Sequence, residues 1–165
     1  MAVTYGDPIF DSARTLLSTK VNALKTYMAA NGISPAIAAV YDTHWEETLP
    51  TLPAVTIGFG VYETPILGAS GAGPTEQIAI TVELRVLTAP DAGPNAYRDE
   101  VLISRLITSL LNYLEERRAM GIQSGYDWHI IGPFRGTVDA TFPYVRAIGG
   151  TLEFVMKTWL KYTAA

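Results

Sequence analysis

A phosphate cradle is the first chemistry that the residues suggest. Gly68, Gly71 and Gly73 stand in the stretch GASGAGP with Ser70 between them, a G-x-x-G-x-G spacing that lets backbone N–H groups approach an anion. A nucleotide loop, however, leads into a helix and carries a lysine followed by Ser or Thr. Here Pro74 follows the last glycine, lysine is absent, and the next residues, EQIAITVELRVLT, alternate as a strand does. A dinucleotide fingerprint fails on the same context, because it too joins a strand to a helix. The stretch reads as a pliable connection between two strands.

The histidines are the next candidates. His44 lies in THWEE and His129 in DWHII, and with Glu46, Glu47 and Asp127 they offer donor types that suit zinc or iron. Neither has the short helical spacing that presets two ligands on one face, so satisfied or solvent-exposed histidines are the plainer account. Ser70 is no nucleophile elbow, because its flanking glycines are misplaced and no helix follows. Glu46-Glu47 and Glu115-Glu116 read as exposed charges rather than as an acid–base pair. The residues thus predict no catalytic, cofactor-binding or metal-binding group. A small α+β enzyme or ligand-binding domain, with a pocket around His44 or His129, is the competing reading.

These residues must be carried by ordinary elements. The first is a helix that Asp7 caps and Pro8 opens, since proline's missing N–H costs nothing in the first turn. Ile9, Ala13, Leu16, Leu17, Val21, Leu24 and Met28 recur at helical spacing, and Asn31-Gly32 supplies the stop. Residues 33–53 hold three prolines and a short apolar run, Ile37 to Tyr41, that fits a strand or a helical turn. AVTIGFGVYE follows as a strand in which Gly58 and Gly60 mark a bulge or a close backbone approach. In EQIAITVELRVLT, Ile78, Ile80, Val82, Leu84 and Val86 share one face, with Gln77, Thr81, Glu83 and Arg85 opposite. A second helix is expected from about Ala96 to Ala119, capped by Asn95 and ended at Gly121, with an apolar stripe from Leu102 to Leu114.

The last forty residues are strand-like and rich in aromatics: Tyr126, Trp128, Phe134, Phe142, Tyr144, Phe154, Trp159 and Tyr162. One or two strands are expected over 126–145, broken at Gly132-Pro133 and Gly136. In a final strand over 146–162, Ile148, Leu152, Phe154, Met156 and Leu160 face one way, and Thr151, Glu153, Val155, Lys157 and Trp159 the other. The expectation is an α+β fold in which two long helices pack a mixed or antiparallel sheet, with an extended β-arm or loop. The 165 residues fit a single domain, 1–165, from which about 61–77 project.

Bulk properties narrow the class of function. The chain is 48% hydrophobic and only 17% charged, so apolar surface left over from the core is expected in subunit contacts. A net charge of -4 with scattered basic residues lacks the basic face that grips nucleic acid. Without cysteine there are neither disulfides nor thiolate metal sites. MAVTYGDPIF lacks the basic start and apolar run of a signal peptide, and no run is long enough to span a bilayer, so a cytoplasm-like compartment is expected.

In element order and size, almost the whole chain resembles the tail terminator, or tail completion, proteins of long-tailed bacteriophages. The pattern comprises the helix IFDSARTLLSTKVNALKTYM, the strand LPAVTIGF, an arm ending in ITVELRVLT, the helix YRDEVLISRLITSLLNYLEE and the strand RAIGGTLEFVMKTW. Gly149-Gly150 and the LPAVTI start are the most suggestive parts, and residues 33–53 have no counterpart in the pattern. The resemblance implies a structural virion protein, assembled in the host cytoplasm, forming a homo-oligomeric ring, commonly a hexamer, at the head-proximal end of the tail tube. Such a ring ends tail polymerisation and joins the tail to head-completion proteins in the neck, while DNA passes through its channel without specific binding. A tail tube or head-completion protein is the nearest alternative. The family has no catalytic residues to carry over. Gly68, Ser70, Gly71, Gly73, Glu83, Arg85, Glu153, Lys157 and Trp159 are the candidate interface with a neighbouring subunit or the tube.

Overall fold

A computed structural model describes residues 7–44, 51–63, 75–89, 96–142 and 147–161. Helix α1 spans Asp7–Ala30. All seven residues expected on its apolar face are buried. It ends as the sequence predicts: Ile33 N–H bonds back to the Met28 carbonyl at 3.0 Å across Gly32, whose φ of +62° suits a residue without a Cβ.

Six strands follow: β1 (Ala39–Tyr41), β2 (Ala54–Glu63), β3 (Thr75–Thr88), then after helix α2 (Ala96–Glu115) β4 (Ala119–Gln123), β5 (Tyr126–Phe142) and β6 (Ala147–Lys161). They form one sheet in the order β1-β2-β3-β6-β5-β4. Only β1 and β2 pair in parallel, so the sheet is mixed. The fold is α+β, as expected. Of the stretch expected to project, 61–63 and 75–77 belong to β2 and β3, and 64–74 lie outside the described residues.

The sheet curls around its helices. On the inner face, Val55, Ile57, Ile80, Val82, Leu84, Leu152, Phe154 and Met156 are all buried, matched across the ladders by pairs such as Val82↔Phe154 and Ile80↔Met156. Helix α2 lies over the centre of this face, on β3, β6 and β5. Its Ile103, Leu106, Ile107, Leu110 and Leu114 enter the core, while Leu102 and Leu111 of the expected stripe are half-buried at its margins. Helix α1 touches β1 and β2 near one edge and β4 and β5 near the other, so it spans the mouth of the curl. Its fastening to the far edge is polar. Trp128, fully buried, donates its indole N–H to Ser12 Oγ at 2.9 Å, and Ser12 donates to the Gln123 carbonyl at 2.6 Å.

The glycine pair that opens β6 has a packing reason. A Cβ on Gly150 would strike the Thr137 carbonyl and lie 2.5 Å from Ile107 Cδ1, and one on Gly149 would strike the Val86 carbonyl. Their absence lets α2 and both neighbouring strands close on β6.

Two expectations need correction. Helix α2 stops at Glu115, not near Ala119, because Ala119 pairs with His129 and Ile130 N–H bonds to the Arg118 carbonyl at 2.7 Å. Strand pairing overrides the helical pattern there, and Gly121 (φ +103°) serves β4 rather than a helix stop. Secondly, β5 runs through Gly132-Pro133 and Gly136 as one strand. The proline is accommodated within a register shift between Ile131 and Arg135. Of the two readings open for Ile37 to Tyr41, the strand holds: Ala39–Tyr41 form an edge strand.

Candidate functional site on the outer sheet face

Among the described residues, no helix covers the outer face of the sheet, and most of the polar candidates gather there. Pairing sets them in rows. Gly58 of β2 lies beside Glu83 of β3, Glu83 beside Glu153 of β6, and Glu153 beside Arg135 of β5. The next row runs Thr56, Arg85, Thr151, Thr137. In the opposite direction, four residues from Glu153 along β6, Lys157 pairs with Ala79 and His129. The sheet thus brings Glu83, Arg85, Glu153 and Lys157 onto one face, as the alternation predicts. Trp159 pairs through its backbone with Gln77, and its side chain is outside the described residues, as are Gly68, Ser70, Gly71 and Gly73.

Two glutamates side by side repel unless cations intervene. Arg85 supplies one, with Nε 2.7 Å from Glu83 Oε1, while Arg135 stands opposite Glu153 in the ladder. The charges that sequence reasoning assigned to subunit contacts are therefore partly engaged within the chain.

What sequence reasoning did not find is the setting of His44. Its Nδ1 lies 2.8 Å from Thr56 Oγ1 and its Nε2 3.4 Å from Glu83 Oε1. Burial, and then the positive charge of Arg85, lower its pKa from 6.5 to about 4 against the opposing pull of Glu83. The ring is neutral at pH 7. Since a carboxylate only accepts, the proton belongs on Nε2, and the Thr56 hydroxyl donates to Nδ1. The imidazole stacks onto Gly58, where any Cβ would collide with it. Gly58 thus marks a close approach and Gly60 adjoins a bulge between Phe59 and Tyr62, the two roles that the strand's glycines predict.

Hydroxyl, imidazole and carboxylate in that order have the form of an acyl-transfer triad. Here Thr56 is fully buried, so no substrate carbonyl can reach its oxygen. What the arrangement does is fasten residues 42–44 over β2. Nearby, Ala54 and Leu87 pack with Ala39, Tyr41 and Leu52 as a small second apolar cluster that covers this end of the outer face.

The imagined metal set does not come together. His44 lies over β2 and His129 on β5, three strand spacings apart, about 14 Å. His129 Nε2 instead meets Asp127 at 3.3 Å, and Glu46 and Glu47 are outside the described residues. Among the described residues no three His, Asp or Glu side chains cluster as metal ligands, and no helix is long and apolar enough to cross a membrane. Of the aromatics, Trp128 and Phe154 are core, and Phe134 packs on Phe154 with ring centroids 5.3 Å apart. Val155 does lie on the outer face, where it lines a shallow depression of about 270 Å³ with Thr81, Ile131, Pro133, Arg135 and Glu153.

The fold and this face define a mixed-sheet α+β protein with a charged sheet surface that no helix covers among the described residues. No protein-family model matches the chain, and no curated protein matches its sequence.

Proposed function

We propose that this protein is a structural component of a long-tailed phage virion, a ring at the head-proximal end of the tail tube that ends tail polymerisation and joins the tail to head-completion proteins. The observation that carries the reading is the order of elements around the sheet. A helix, a strand, a long strand pairing antiparallel with it, a second helix and a last strand returning beside the third reproduce the order on which the resemblance rests. The outer face supports it, since a mixed row of glutamates and arginines beside a shallow apolar depression suits a surface that meets another protein. In this reading residues 61–77 act as the arm, with Gly68, Ser70, Gly71 and Gly73 at its tip against a neighbour or the tube, and the two helices back the ring wall.

Light scattering on the purified protein tests the reading. A closed multimer near six subunits is expected, seen as discrete rings by negative-stain microscopy. Open-ended filaments would make the protein a tube subunit instead, and a strict monomer at high concentration would count against a ring.

A further inference from the structure

Large hydrophobic side chains that stand exposed among the described residues fall on two surfaces only. Tyr27 (57% exposed) and Ile33 line an open groove of about 580 Å³ between the C-terminal halves of α1 and α2, floored by Leu24 and Met28. Ile122 (72% exposed) stands on β4, which is an edge strand, in the hairpin that β4 makes with β5. The hairpin turn is tight, with Ser124 and Gly125 both at positive φ (52° and 83°), so the tip is presented rigidly.

The two surfaces cannot meet within one molecule. The Ser12–Gln123 bond fixes the hairpin tip beside the first turns of α1, whereas the groove begins at Ala23, eleven residues or about 16 Å further along the helix axis. Each surface carries a charge that can meet the other's. Arg117 stands at the groove rim beside Glu116, its guanidinium 3.8 Å from the Tyr113 ring centroid and 3.4 Å from the Glu116 carboxylate, with donors to spare for a second carboxylate. Asp127, 57% exposed and 3.3 Å from His129, pairs directly with Ile122 across the hairpin.

We infer that the β4–β5 hairpin of one copy docks in the α1–α2 groove of the next, with Ile122 as the apolar anchor and Asp127 set toward Arg117. The contact is heterologous: each copy gives a hairpin and receives one. Repetition around an axis closes a ring, and without closure it builds a filament. The inference rests on the ring assembly proposed above and names the surfaces that make it.

The lack of cysteine in the chain gives a clean test. Ala23→Cys and Ile122→Cys are made separately, both at exposed positions, mixed, and oxidised under mild conditions. A disulfide-linked dimer is expected from the mixture and from neither variant alone. In parallel, Ile122→Asp is expected to raise the protein concentration at half-assembly tenfold or more, with the thermal midpoint of the dilute protein unchanged. The proposal is overturned if oxidation links only identical variants, if it links none, or if Ile122→Asp assembles like the parent. The two readings fail separately. Finite rings that cap tail tubes but ignore Ile122→Asp would keep the tail role and remove the hairpin. Cross-linked chains that neither close nor cap tubes would keep the hairpin and remove the tail role.

Discussion

Acid should loosen this protein through one side chain. His44 is neutral in the folded state, held near pKa 4 by burial and by Arg85, whereas in the unfolded chain it returns to about 6.5. The unfolded state therefore binds the extra proton first as the pH drops. The stability that depends on a neutral His44 is complete above pH 6.5 and is lost progressively toward pH 4. Displacing one protonation equilibrium that far is worth at most ~3 kcal/mol. The side chain is 22% exposed, and water's access brings the effect to about 1–2 kcal/mol. Urea unfolding at pH 7.5 and 4.5, on the parent and on His44→Asn, isolates it, because the carboxylates common to both proteins cancel. The parent should lose about 1–2 kcal/mol more than the variant between the two pH values, and the His44 ring protons should titrate well below pH 5.5 by NMR. An equal loss in both proteins, or a ring titrating near 6.5, would refute the argument from burial.

Gly58→Ala should displace the His44 ring and weaken the fold, yet be tolerated in a His44→Ala background. A double-mutant cycle should show a coupling of about 1 kcal/mol, and strict additivity would mean that ring and glycine do not touch. Gly150→Ala drives a methyl into the Thr137 carbonyl and Ile107, so a loss of about 1–3 kcal/mol is expected in denaturant titration, with an unchanged midpoint as the adverse result. Ser12→Ala orphans the buried Trp128 N–H and removes a donor from the Gln123 carbonyl. It should cost about 1–3 kcal/mol and shift the tryptophan emission, whereas Ser12→Thr should retain most of the stability.

What was legible in the sequence was periodicity. The seven residues on α1, the α2 stripe and the alternation in β3 and β6 each follow from a helix or strand with one covered face, and burial in the structure follows them, with Leu102, Leu111 and Ile148 half-buried at the margins. Illegible were features set by distant partners. β4 reads as the tail of a helix until Ala119 meets His129, and the proline in β5 reads as a break until a register shift accommodates it. The His44 cluster joins residues 12 and 39 positions apart, and only Gly58, a glycine inside an apolar strand, hinted at a side chain lying over it. The two histidines looked alike in sequence, each beside a tryptophan, and the sheet order separates them.

The strand order also dictates a sequence of events. β6, the last described strand to be synthesised, lies between β3 and β5, whereas β1-β2-β3 and β5-β4 can each pair before it exists. Until residues 147–161 emerge, the nascent chain holds two separate ribbons whose facing edges, β3 and β5, have no strand between them. Cooperative folding must therefore wait for β6 to slot in, and termination between β5 and β6 leaves two unpaired edges open to aggregation.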